Sequence, residues 1–143
     1  MDNYRDTAYC MYEDVQILHE KHRWFNCCYL AGYVVECYSK LLLDNAISSG
    51  ITTQKGAVKD YGHNINVMKI DLINILSIST QILSKYCIDL NLECNSIITE
   101  WNPNKRYEAE SGTWSQEEKA NAFKHELEIV INQIKNMQLD GVI

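Results

Sequence analysis

His63, Arg106 and Tyr107 carry the side chains of this sequence that are best suited to chemistry on a phosphate. An imidazole exchanges protons near neutral pH, and a guanidinium holds phosphate oxygens in a forked geometry. If these residues meet in space together with Glu36, they would form a composite acid–base site. His63 has a structural alternative as a capping or packing residue, which we favour because the sequence shows no partner acid for it.

Glu36 and Lys40 are four residues apart, in the order that favours an ion pair on a helix. The pair is either a functional charge pair in a cleft or an internal ion pair that fixes the packing of the loop carrying Arg106, and we favour the internal pair. Arg106 is expected to be the third member and to reach Glu36. We expect one cluster of these residues: Glu36, Lys40, Tyr33, Trp101, Arg106 and Tyr107.

Metal and cofactor chemistry finds little support in the sequence. His19 and His22 are two imidazoles three residues apart, but a transition-metal site needs three or four ligands, so we expect no metal. Neither a phosphate-binding P-loop, a dinucleotide-binding glycine pattern nor a GxSxG motif occurs, so we expect no cofactor. The six cysteines include no Cys-x-x-Cys pair and are predicted to be reduced thiols that pack as small hydrophobic side chains.

The three tryptophans and nine tyrosines could stack on nucleic-acid bases, or they could fill a bundle core and a self-association face. We favour the core, because a net charge of −6 and a pI near 5.1 leave no broad basic surface for phosphates. The charge therefore does not favour RNA as a partner. A basic partner protein is compatible with it.

The elements that must position these residues are predicted to be helices in one domain, residues 1–143. The chain has one proline and six glycines, which is too little punctuation for many short strands. We predict an all-α fold, a single antiparallel bundle of about five helices. No stretch approaches the roughly 20 apolar residues of a membrane span, and the start is unlike a secretory signal, so we expect a cytoplasmic protein without membrane contact.

The first predicted helix follows Asp2 or Asn3, either of which is a competent N-cap, and its apolar stripe ends near Leu18. The polar residues 19–23 that follow form either a tight connection to the next helix or a continuous polar bend.

The central helix is predicted from Arg23 to about Asn45, and its apolar residues cover so wide a face that it must lie in the middle of the bundle. Gly32 lies inside this helix at a cost of about 1 kcal/mol relative to alanine. Its presence predicts that another backbone or a bulky ring approaches there. The polar, glycine-rich residues 48–62 are predicted to form a long connection.

The remaining pattern predicts two further helices, a structured loop and a last helix. The third helix begins at His63, the fourth runs from about Ser79 to Trp101, and residues 102–114 form the loop around the single proline. Ser115 and Glu118 have the spacing of a capping box, which predicts that the last helix starts at Gln116 and reaches Met137.

Residues 31–42, AGYVVECYSKLL, resemble the AGY-hydrophobic-Glu-x-x-x-Lys central helix of HEPN-domain proteins. Two further motifs are similar to the same subgroup: Gly62-His63 before the third helix, and Trp101-Asn102-Pro103 followed by Arg106-Tyr107 in the last loop. The resemblance covers about residues 23–137. It implies a helical bundle, commonly dimeric, of the kind found in toxin–antitoxin pairs, nucleotidyltransferase partners, abortive-infection systems and CRISPR-linked effectors, many of which cleave RNA.

The sequence departs from the catalytic members of that superfamily, which carry an arginine followed by four to six residues and a histidine. The windows after the three arginines of this chain contain no histidine: Cys10 to Tyr12 after Arg5, Cys28 to Leu30 after Arg23, and Ser111 to Thr113 after Arg106. The resemblance therefore favours a member without the usual ribonuclease site.

Three functional hypotheses follow. The first is a HEPN-like, non-catalytic interaction module in a prokaryotic defence or toxin–antitoxin system, homodimeric through the central helix or its neighbour and acting with a partner such as a nucleotidyltransferase or a nuclease. The second is a metal-independent ribonuclease with a site rebuilt from Arg106, Tyr107, His63 and Glu36. The third is a protein that binds a small ligand or nucleotide in the cleft between the central helix and the Trp101–Trp114 loop.

Overall fold

The first two helices form an antiparallel pair at the centre of the molecule. In the computed structural model, which describes residues 2–78, 81–108 and 112–143, α1 spans Tyr4–Glu20 and α2 spans Trp24–Ser48. Asn3 caps α1, because its Oδ1 accepts from the Asp6 amide at 3.0 Å. Of the two alternatives for residues 19–23, the structure shows the tight connection: three residues separate the helices, and α2 returns along α1.

The predicted central position of α2 is confirmed. The helix packs against α1, against α3 (Ile65–Ile78) and against the last helix, α7 (Glu117–Leu139). The buried residues of α2 include apolar side chains along its whole length, from Cys27 to Ala46, and the polar Glu36, Ser39 and Lys40. One core cluster of buried side chains extends along the chain from Ala8 to Met137. The all-helical prediction is confirmed, and the described residues contain no strand.

The prediction of one continuous helix from about Ser79 to Trp101 is wrong. Ser79 itself lies outside the described residues, and the chain after it forms three short helices, α4 (Gln81–Tyr86), α5 (Leu90–Glu93) and α6 (Asn95–Glu100). The breaks are made by side chains from distant parts of the sequence.

Tyr38 makes the first of these breaks. Its hydroxyl donates to the carbonyl of Tyr86 and accepts from the Ile88 amide at 3.0 Å, so these backbone groups are satisfied without a helix. Glu126 of α7 makes the second break, because its carboxylate accepts from the amides of Ser96 and Ile97 at 3.2 and 3.0 Å and caps α6.

Three 3-10 helices complete the fold. Residues of the long connection form a 3-10 helix, Val58–Tyr61, and the loop before α7 contains two more, Pro103–Tyr107 and Thr113–Ser115. The predicted capping box is wrong. The N-cap of α7 is Gln116, whose side chain makes no capping hydrogen bond, and Ser115 is the last residue of the preceding 3-10 turn.

All six cysteines are free thiols. Burial raises the pKa of the Cys27 thiol to about 11 and the pKa of the Cys37 and Cys94 thiols to about 12. These thiols therefore stay protonated near neutral pH and pack as apolar side chains.

Among the described residues no helix is long and apolar enough to cross a bilayer.

Candidate functional site

A buried carboxylate between two cationic side chains forms the centre of the candidate site. Glu36 is 4% exposed, and its Oε1 accepts from Lys40 Nζ at 2.8 Å. Its Oε2 lies 2.9 Å from Nδ1 of His63, and Oε1 lies 3.1 Å from the same nitrogen. The predicted ion pair between Glu36 and Lys40 is confirmed, and both side chains are buried. When His63 is protonated, the carboxylate is balanced by two positive charges.

Local structure explains why these groups meet. Glu36 and Lys40 lie one turn apart on the same face of α2. Gly62, with a φ of +57°, reverses the chain after the Val58–Tyr61 turn and delivers His63 to this face. Asn64 caps the start of α3, because its Oδ1 accepts from the Val67 amide at 3.1 Å.

The expectation that Arg106 reaches Glu36 is wrong. The third member of the ion-pair cluster is His63, and Arg106 instead donates from Nη1 to the hydroxyl of Tyr29 at 3.4 Å. This hydrogen bond is the largest influence that raises the pKa of Arg106. The guanidinium also lies 4.8 Å from the centroid of the Tyr107 ring. Arg106 therefore belongs to the edge of the cluster.

Tyr33 connects the ion-pair cluster to the Arg106 edge. Its ring meets the rings of His63 and Trp101 edge to face, at centroid distances of 5.6 and 5.0 Å. Its hydroxyl lies 2.9 Å from the hydroxyl of Tyr29, the residue that accepts from Arg106. Burial, and secondly the hydrogen bond with Tyr29, raises the pKa of Tyr33 far above its ordinary value. The phenol therefore stays neutral.

Trp101 fixes the last loop onto the central helix. Its indole Nε1 donates to the Tyr29 carbonyl at 2.9 Å, and the ring lies directly over Gly32. The predicted close approach at Gly32 is confirmed, and the approaching group is this ring. The loop that carries Pro103 and Arg106 is held against α2 through this contact.

The residues predicted to form one cluster fall into two groups in the structure. Glu36, Lys40, Tyr33 and Trp101 lie together with His63, while Tyr107 is 77% exposed and contacts Arg106. His22 stacks on Trp24 at a centroid distance of 5.0 Å, and His19 meets the same indole edge to face at 5.1 Å. The described residues contain no group of three potential metal ligands.

Three asparagines that the sequence analysis did not assign to a site, Asn64, Asn66 and Asn102, line a groove of about 330 Å³ beside His63. Asn64 and Asn102 each precede a turn of helix, which is a recognisable capping signal. The sequence shows no signal that brings them to one groove, because 38 positions separate them.

The chemistry open to this arrangement centres on the imidazole. Nδ1 of His63 is bound to Glu36, and the His63 side chain as a whole is 56% exposed. Nε2 is therefore the ring nitrogen that could contact a ligand. A carboxylate that orients a histidine is a feature of acid–base sites and also of structural ion pairs.

No family model, no curated protein and no solved structure matches this chain.

Proposed function

We propose that this chain is a HEPN-like, non-catalytic interaction module that acts as a homodimer, with a partner protein, or both, in a cytoplasmic prokaryotic defence or toxin–antitoxin system. One observation carries the proposal: the three motifs behind the resemblance pack onto one another. Trp101 covers Gly32, and His63 binds Glu36. Short motifs that are far apart in sequence support the resemblance more strongly when they pack into one cluster.

The arrangement of the cluster supports a structural role over catalysis. Lys40 is buried and bound to Glu36, so it has no exposed ammonium group to offer a substrate. Arg106 is engaged with two tyrosine rings at the edge of the cluster. The arginine-to-histidine spacing of catalytic relatives is missing from the sequence.

The pairing surface is proposed to lie on α3, the neighbour of the central helix, because α2 itself is covered by α1, α3 and α7. Helix α3 is apolar beyond its buried face. Ile70 and Ile73, one turn apart, are 46% and 48% exposed. Adjacent exposed isoleucines are typical of a face that a partner covers.

Sedimentation velocity tests this pairing. The wild-type chain is expected to sediment as a dimer, and Ile70→Glu combined with Ile73→Glu is expected to give a monomer with an unchanged helical circular dichroism spectrum. Ile17→Glu is the control for an added glutamate, since this isoleucine of α1 is 55% exposed and the change places one such charge away from α3. A wild-type monomer, or a dimer that survives the double substitution, would contradict an α3 interface.

A partner protein is proposed as the second interaction. The resemblance points to a nucleotidyltransferase or a nuclease encoded beside this gene. The net charge of −6 suits a partner with a basic surface. Co-purification of the neighbouring gene product with this chain at a defined stoichiometry is the expected result, and its loss above about 0.5 M salt would indicate an electrostatic contact.

A metal-independent ribonuclease is the second candidate, and the contact between His63 Nδ1 and Glu36 favours it. The assay uses purified wild type with His63→Ala and Arg106→Ala variants on single-stranded RNA in the presence of a chelator. We expect no cleavage above the background of a mock purification. Cleavage that either substitution abolishes would overturn the non-catalytic proposal.

A further inference from the structure

The turn between α1 and α2 holds a histidine in a backbone conformation that favours other residues. His22 donates its amide to the His19 carbonyl at 3.0 Å, and Arg23 donates its amide to the Leu18 carbonyl at 2.8 Å. These are the two hydrogen bonds of a Schellman motif, which reverses the chain at a left-handed residue that is usually glycine. Here that residue is His22, with a φ of +58°. Because a side chain strains this conformation, the backbone alone gives no reason for a histidine.

The ring of His22 faces a groove on the surface. It stacks on Trp24 with a centroid distance of 5.0 Å and an angle of 17° between the planes. The groove has a volume of about 290 Å³, and His22, Arg23, Trp24, Phe25, Asn26 and Ser115 line it. Strained residues are concentrated where a protein holds a side chain ready for a ligand. The strain at His22 therefore places an imidazole on the wall of this groove.

The groove is a positive site on an acidic protein. Lys21, His22 and Arg23 are consecutive exposed residues, and within the part of the chain that the structure describes none of them forms an ion pair. Glu20 is exposed at the end of α1 and pairs with none of them. After it, no aspartate or glutamate occurs in residues 21–35, and the six lining residues include neither.

The start of α2 has the same sign of charge. The exposed amides of a first helical turn carry a partial positive charge. In α2 neither a capping side chain nor an acidic residue of the first turn offsets it. The unpaired guanidinium of Arg23 and the imidazole of His22 thus lie in a field that attracts an anion.

We infer that the turn between α1 and α2 docks an acidic segment of a partner protein, with one carboxylate in the His22 groove. The forked guanidinium of Arg23 matches the two oxygens of a carboxylate, and the carboxamide of Asn26 adds an N–H donor on the same wall. The half-buried ring of Phe25 gives the methylene groups of a glutamate side chain an apolar wall to contact.

A short protein segment fits this surface better than a nucleic acid does. A nucleic acid carries a charge on every phosphate, so beyond the turn it would meet a protein surface with a net charge of −6. An acidic segment brings its charges only to the turn itself. The inference goes beyond the proposed interaction module and does not depend on the pairing surface on α3.

The test measures binding of three probes to the full chain: a capped hexaglutamate peptide, the matching hexaglutamine peptide and hexauridylate. Isothermal titration at about 50 mM salt gives the affinity, because surface charges are weakly screened there. The His22 ring signals in a heteronuclear NMR spectrum report the place. His63 is the reference, since its partner Glu36 lies roughly 15 Å along α2 from Asn26. We expect hexaglutamate to bind and to shift the His22 signals, hexaglutamine to do neither, and hexauridylate to bind more weakly.

Arg23→Gln and His22→Asn are the informative variants. Glutamine removes the charge at an exposed position, and asparagine removes the ring but accepts the left-handed backbone, so both chains are expected to keep the wild-type circular dichroism spectrum. Each is expected to weaken hexaglutamate binding by about fivefold or more. Lys135→Gln is the matched control, because it removes one exposed positive charge near the far end of α7.

Each result decides for or against the docking surface. Hexaglutamate binding that weakens in both turn variants and not in Lys135→Gln supports it. Binding that neither turn variant weakens, equal binding of hexaglutamine, tighter binding of hexauridylate, or no binding of hexaglutamate up to about 10 mM would overturn it. A dimer or a monomer in sedimentation leaves this decision unchanged, so the two proposals fail separately.

Discussion

The indole of Trp101 occupies the space that a side chain on residue 32 would need. A Cβ atom built on Gly32 would lie 2.0 Å from Cε2 of Trp101, closer than any two carbon atoms can pack. The indole is also fixed by its hydrogen bond to the Tyr29 carbonyl. A side chain at position 32 would therefore require the indole of Trp101 to shift from this place on the central helix.

Gly32→Ala is expected to destabilise the fold by about 2 kcal/mol, because the overlap with Trp101 outweighs the gain of about 1 kcal/mol in helix propensity. Urea unfolding followed by tryptophan fluorescence measures the change. Gly56→Ala is the control, since no described atom lies within 4 Å of its added Cβ. A Gly32→Ala variant as stable as the wild type would show that the ring moves aside freely.

Tyr38→Phe is expected to cost about 1–3 kcal/mol of unfolding free energy. The change leaves the Ile88 amide and the Tyr86 carbonyl without their hydrogen-bond partner in a buried place. Chemical denaturation measures it. Tyr12→Phe is the matched control, because the Tyr12 hydroxyl makes no hydrogen bond within the described residues, and similar costs for the two variants would contradict the role given to Tyr38.

How far the sequence predicts this molecule depends on the range of the interaction. The positions of α1 and α2 follow from patterns within a few residues and are predicted to within about three residues at each end, and the pair Glu36 and Lys40 is predicted correctly. The break after α4 depends on Tyr38, a residue 48 positions away from its acceptor. Hydrophobic periodicity contains no information about such a contact, so the sequence predicts one helix where there are three.

The candidate site shows the same limit. Gly32 signals that a ring approaches, but the pattern does not identify which ring. The partner of Glu36 comes from a turn 27 residues away, and a choice between His63 and Arg106 requires the path of the connection between α2 and α3. Charge alone favours the arginine, and the backbone reversal at Gly62 delivers the histidine instead.

Cys10 is expected to be the one thiol that reacts rapidly with a small disulfide reagent in the folded chain at neutral pH. It is exposed on α1, whereas burial raises the pKa of Cys27, Cys37 and Cys94, whose thiolate forms are therefore rare. A stopped-flow titration is expected to give one fast equivalent, which Cys10→Ser removes. Two or more fast thiols in the Cys10→Ser variant would show that the core opens readily.

Removal of the Glu36 charge is expected to damage the fold more than removal of the pair. Glu36→Gln leaves the buried Lys40 ammonium without its counter-ion, at a cost of about 3–5 kcal/mol, while the double variant with Lys40→Met buries no ammonium and is expected to recover part of that loss.

A double-mutant cycle on urea unfolding isolates the coupling between Glu36 and Lys40, expected at roughly 1–3 kcal/mol. The exposed pair Lys85 and Asp140, with N and O atoms also 2.8 Å apart, supplies the matched cycle, and its coupling is expected to be weaker because water screens it. Equal coupling in the two cycles would mean that burial adds nothing to the Glu36 ion pair. The proposed structural role of the buried cluster would then be wrong, because an ion pair on the surface would stabilise the fold as much.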